Sequence, residues 1–202
     1  MQLNHDETSQ ALLRAAHRLL TEHGSEALTV RRIATEAGMS TMNVYSRFGG
    51  KDGVIDELYI DGFSRLYEAI GAVPTTDDFA TDLVAMAQAY RQFALENPTY
   101  YKVMFRTAIH EFAPSAAAAD LARSGLGVIA ERVANGQAAG QVRTDDGHDA
   151  RVIAAWLWAT CHGLVTLEIF SVANEQVDWS AVYDRGIRTS VEGLSPASIS
   201  HG

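Results

Sequence analysis

The 202-residue chain has one cysteine, too little positive charge to balance its acids, and no long uninterrupted apolar run. Each shortage excludes something. The lone Cys161 rules out an internal disulfide and suits a reducing compartment. Sixteen Lys and Arg against 25 Asp and Glu leave a formal net charge of -9, the wrong sign for an architectural DNA binder. The longest uncharged apolar run, between Arg151 and Glu168, falls short of the roughly 18 residues of a membrane span. The start, MQLNHDETSQ, has no apolar segment behind a basic head, so a soluble cytoplasmic chain without a membrane partner is expected. No hairpin signal of the Asn-Gly type joins alternating apolar and polar runs. Glycine-rich phosphate loops and His-x-x-x-His or Cys-x-x-Cys spacings are missing as well, so neither metal nor cofactor is expected. Cys161 and His162 are adjacent, and helical neighbours point about 100° apart, so they make no nucleophile–base pair. An enzyme is therefore not expected.

What is present is helical periodicity and an uneven charge. At 47% hydrophobic and 20% charged, the chain is globular, as one large domain or two small ones. Residues 1–51 carry six Lys and Arg against five acids, and the rest ten against twenty. Only the N-terminal quarter is a plausible contact face for nucleic acid. An all-α fold is predicted. Its first helix runs from about Glu7 to His23, and a short one follows the cap-like Thr29 with Val30, Ile33, Ala34 and Ala37 on one face. A third starts at Ser40 or Thr41 and ends near Phe48, and a fourth spans about Lys51 to Ile70. The stretch GAVPTTDD is a break, beyond which helices are expected near 78–95, 98–110, 115–138, 146–172 and 178–193, with a frayed tail from 195 to 202.

The two short helices joined through Ala37-Gly38-Met39 have the spacing of a helix-turn-helix. In such a unit the second helix enters the major groove by its first turn, here Ser40, Thr41, Met42 and Asn43. Asparagine pairs bidentately with adenine, threonine bonds several base edges, and methionine packs on a thymine methyl. Tyr45, Arg47 and Lys51 follow where phosphates pass, within the acid-free stretch GMSTMNVYSRFGGK.

The segment ALTVRRIATEAGMSTMNVYSRFGGKDGVIDEL resembles the DNA-binding domain of the TetR family of transcriptional regulators. The likeness lies in the Leu28-Thr29-Val30-Arg31 entry, the Ile33-Ala34…Ala37-Gly38-Met39 turn, Val44-Tyr45-x-x-Phe48, and Lys51. The resemblance implies phosphate contacts at Thr29, Arg31, Tyr45 and Lys51, base contacts at Thr41, Met42 and Asn43, and a place near the backbone or flanking bases for Ser46 and Arg47. It also implies double-stranded operator DNA, a small-molecule effector and a second copy of the chain as partners. The domains expected are 1–51 for DNA binding, with a linking helix from about 51 to 70, and 52–194 for effector binding and dimerisation. A repressor released by a largely apolar effector is expected, with an activator or a ligand-blind DNA binder of the same fold as alternatives.

Two features of the second part fit those tasks. The segment from Ala150 to Val172 is apolar all round and needs cover on two sides. Val165, Ile169, Tyr183 and Ile187 are the expected dimer contacts. The stretch YRQFALENPTYYKVMF concentrates aromatics around Pro98, and WATCHGLVTLEI resembles the Trp…His-Gly signature of one TetR C-terminal subclass. Phe93, Tyr101, Met104, Phe105, Trp158 and His162 are the expected effector contacts. Two readings stand for His162, effector contact or hydrogen-bonded interior histidine. Two also stand for the cluster from Tyr100 to Phe105, pocket wall or core.

Overall fold

The computed structural model describes residues 6–105, 109, 112–144, 149–170 and 177–196. Among these residues it contains nine α-helices and no strand. They are α1 (Glu7–His23), α2 (Val30–Glu36), α3 (Thr41–Phe48), α4 (Lys51–Gly71), α5 (Phe79–Glu96), α6 (Pro98–Met104), α7 (Ala116–Ala138), α8 (Ala150–Ile169) and α9 (Trp179–Glu192). The expected tail beyond 196, and parts of the helices expected at 98–110 and 146–172, lie outside the described residues.

Local chemistry explains the boundaries. The side chains of Asp6, Thr29, Asp149 and Asp178 each accept a first-turn N–H, satisfying donors that an uncapped helix leaves orphaned. Pro98 opens α6, where its missing N–H costs nothing. That helix stops at Met104, short of the expected 110.

Packing divides the chain into two compact units, residues 1–65 with 97–122, and residues 66–96 with 123–202. In the first, α1, α2 and α3 close around Leu12, Ala16, Ile33, Val44 and Leu58, all fully buried or nearly so. Burial of each such Leu or Ile contributes about 1.5–3 kcal/mol. Residues 97–122 were expected with the second domain, and aromatic packing explains why they join the first unit. The Phe63–Phe105 and Tyr59–Phe112 ring pairs each lie 5.8 Å apart, and Tyr100 donates to Asp61 at 2.6 Å.

In the second unit α5, α8 and α9 pack pairwise. Tyr183 donates its hydroxyl to the Ala87 carbonyl at 2.6 Å, and Arg91 grips Glu168 through two nitrogens. Helix α8 is long and apolar enough to cross a membrane by length and composition alone. One side of it, with Ile153, Ala154, Leu157, Cys161 and Val165, is buried within the unit, and its Glu168 pairs with Arg91. The expected dimer contacts change here. Val165, Tyr183 and Ile187 are buried inside the single chain, so they have no surface left for a partner to cover. Ile169 is half-buried. An all-round apolar helix does not declare which of its faces turns inward.

Candidate functional site: nucleic-acid interface and apolar pocket

Helix α2 ends in a left-handed residue, Gly38 at φ 67°, and two reverse bonds close the turn. Gly38 N–H donates to Thr35 O at 3.0 Å, and Met39 N–H to Ala34 O at 2.8 Å. This Schellman closure turns the chain sharply into α3. Buried Val44 anchors α3 from below. Away from Val44 the helix is open: Met42 is 70% exposed and Tyr45 54%, Thr41 and Ser46 are exposed too, and so is Lys51 at the start of α4. Thr29 and Arg31 are exposed beside the start of α2. Among the described residues no carboxylate pairs with Arg31 or Lys51. The expected DNA contacts are thus brought onto one helix-turn-helix surface.

Several of them already bond within the chain: Thr29 Oγ1 accepts from Arg32 N–H, and Ser40, Asn43, Ser46 and Arg47 are linked to one another. Asn43 donates from Nδ2 to Ser40 Oγ at 3.2 Å and accepts at Oδ1 from Arg47 Nη1 at 3.1 Å. Arg47 also donates through Nη2 to Asp6 Oδ2 at 3.1 Å and through Nε to Oδ1 at 3.4 Å. Its guanidinium is therefore committed within the chain rather than held out toward a phosphate. The Ser9 hydroxyl and backbone N–H, and then Arg47, hold the Asp6 carboxyl well below the usual carboxylate range. Asp6 had no signal in the sequence beyond its place before a helix, because its second partner is 41 residues away.

The second unit holds a small apolar pocket. Its walls are Leu83, Met86, Ala87 and Tyr90 from α5, Leu157, Trp158 and Cys161 from α8, Ile187 and Val191 from α9, with Ile70 and Ile129. Tyr90 Oη lies 3.2 Å from His162 Nδ1, and the Trp158 and His162 rings stack at 5.4 Å. Burial lowers the His162 pKa, and burial pushes the Cys161 thiol up to about 11, so it remains protonated at neutral pH. Of the six expected effector contacts, Trp158 lines this pocket and His162 bonds to one of its walls. Phe93 is buried in the second unit outside that lining, and Tyr101, Met104 and Phe105 belong to the first unit. Aromatic content alone could not separate core from wall. Met86 and Ile187 carried no sign of a pocket in their own positions.

One apolar strip on the second unit is uncovered. Val152, Trp156, Ala159, Gly163 and Leu167 recur at helical spacing along α8, all exposed, with Trp156 at 44%, and Val182 is exposed on α9.

Two family models match the chain. The model for bacterial regulatory proteins of the tetR family covers residues 12–58, and that for the tetracyclin repressor-like C-terminal domain covers 83–190. An HTH-type transcriptional regulator of Mycobacterium bovis is 26% identical, over 91% of this chain and 91% of its own. A solved structure of a Rhodococcus protein of unknown function superimposes with a TM-score of 0.82 at 25% identity, covering 97% of this chain and 100% of its own. A tetR-family transcription regulator from Shewanella gives 0.71 at 19% identity, over 95% of this chain and 100% of its own. The second family model alone spans more than half of the sequence, so the chain belongs to the TetR family of DNA-binding transcriptional regulators.

Proposed function

We propose that this regulator is a homodimeric cytoplasmic repressor that a small, largely apolar effector releases from its operator. One observation carries the DNA contacts: an acid-free recognition helix presents Thr41, Met42, Asn43 and Tyr45 beside Arg31 and Lys51. Neutral side chains at the first turn read base edges, and the flanking cations meet phosphates. The experiment is selection of genomic fragments with the purified chain, followed by titration of the bound fragment. Lys51→Ala is expected to weaken binding to every duplex alike and to reduce the salt slope by about one. Asn43→Ala is expected to cost about 1–3 kcal/mol at one base position per half-site. An unchanged base preference for Asn43→Ala would remove α3 from the groove.

The pocket favours an apolar effector, with the Tyr90–His162 pair as its polar handle. By linkage, a compound that lowers affinity for the selected fragment must itself bind the DNA-bound protein more weakly by the same factor. Helix α4, whose residues fall in both units, is one continuous segment through which that coupling would pass.

The strip on α8 favours a second copy of the chain, since a two-fold axis would place it against itself. Trp156→Glu is expected to convert a dimer to a monomer in sedimentation, with the monomer still folded by circular dichroism and its melting temperature no longer dependent on concentration. Val165→Asp would instead bury an unpaired charge inside one protomer and unfold it. A Trp156→Glu chain that still sediments as a dimer would move the interface elsewhere.

A further inference from the structure

We propose that Asp6, at the start of α1, is a positioning residue for base recognition, acting through Arg47 to set the orientation of the Asn43 amide. This rests on the reading that α3 recognises bases. An asparagine amide has two nearly equivalent orientations, exchanging a donor for an acceptor. Arg47 is donor-only, so of the two amide atoms its Nη1 can donate only to Oδ1, at 3.1 Å; it also reaches Ser46 Oγ at 3.5 Å. Nδ2 then falls to Ser40 Oγ at 3.2 Å. One amide hydrogen and one lone pair remain, the set that an adenine edge requires. The flipped amide would set its NH₂ against the guanidinium.

Arg47 is useful in this way only if it stays in place, and its flexible side chain has phosphates as competing partners. Asp6 supplies the restraint by taking Nε and Nη2, leaving Nη1 for Asn43. The cap of α1 does not by itself require a charged residue here. Asp6 Oδ1 accepts from Ser9 N–H at 2.7 Å, and asparagine or serine caps a helix about as well. The negative charge has its use at Arg47.

The test begins with a half-site-randomised duplex library offered to the wild-type chain. The selected duplex and its variants at the base pair read by Asn43 are then titrated across a salt series. A wild type that selects no duplex overturns the DNA reading and this proposal together. On the selected duplex, Asp6→Asn is expected to melt as wild type does while losing about tenfold in discrimination at that base pair, with Asp6→Ser behaving alike. The salt slope is expected to steepen by about 0.9, because the released Arg47 gains a phosphate. Arg47→Lys, which loses the planar fork, is expected to lose discrimination similarly. In the Arg47→Gln chain, Asp6→Asn is expected to change nothing further. Unchanged discrimination for Asp6→Asn, an unchanged salt slope, or an equal further loss in the Arg47→Gln chain would each overturn the proposal.

Discussion

Arg132→Met is expected to lower the unfolding free energy by about 3 kcal/mol, at the low end of the range for removing one partner of a buried ion pair. Asp82, on the first turn of α5, is 2% exposed, and Arg132 of α7 donates to its Oδ2 at 2.8 Å. Thr76 supplies the other donors, its hydroxyl at 2.7 Å and its N–H at 3.0 and 3.1 Å. Those bonds remain in the variant, which is why the upper end of the range is not expected. Adding Asp82→Asn should recover part of the loss, because the amide oxygen still accepts from Thr76 and no charge is left unpaired. The pH dependence follows from the pKa direction. Burial pushes the Asp82 pKa up, but the Thr76 hydroxyl and N–H and then Arg132 outweigh it, so the folded value lies below the ordinary one. A carboxylate of this kind stabilises fully above its unfolded pKa, about 3.9, and the contribution is lost as pH falls through the folded value. Without Arg132 the depression shrinks, so the difference between wild type and variant should narrow below about pH 4. Urea unfolding of both chains at pH 7 and at about pH 3 measures this. A loss under about 1 kcal/mol at pH 7 would make the pair incidental.

The second large effect is expected at Gly53, in the first turn of α4. Intrinsic helix preference favours alanine over glycine by about 1 kcal/mol, so a local view makes Gly53→Ala stabilising. The neighbourhood reverses the sign. A Cβ there would lie 1.8 Å from the Phe48 carbonyl oxygen and 2.8 Å from its carbon, both backbone atoms at the end of α3. No rotamer change relieves a collision with backbone, so α3 and α4 must separate by more than an ångström. Overpacking of this kind costs about 1–3 kcal/mol or more, exceeding the propensity gain. On the proposed reading, in which α3 recognises bases, its displacement should also remove about 1–3 kcal/mol of discrimination per half-site. Thermal unfolding and titration of the selected duplex test both consequences together. A Gly53→Ala chain that is more stable than wild type and equally selective would show that α3 and α4 have room to spare.

The local features proved legible in the residues because their causes are local. Thr29 and Gly38 start and end α2 through bonds to residues only a few positions away, and Pro98 starts α6 by its fixed backbone angle and missing N–H. The stripe of α1 and the spacing across Ala37-Gly38-Met39 followed from helical periodicity and from the backbone angle that glycine tolerates. The all-α architecture, the helix-turn-helix and the shift of charge between the two parts of the chain were therefore determined by the sequence alone. Tertiary structure decided whatever depended on partners distant in sequence. It joined Asp6 to Arg47, and it sent Tyr101 and Phe105 into the first unit. It also turned Val165 and Ile187 inward while leaving Trp156 outside. Periodicity tells which residues share a helix face, but α8 is apolar on every face, and only its packing against α5 and α9 selects the side that water loses.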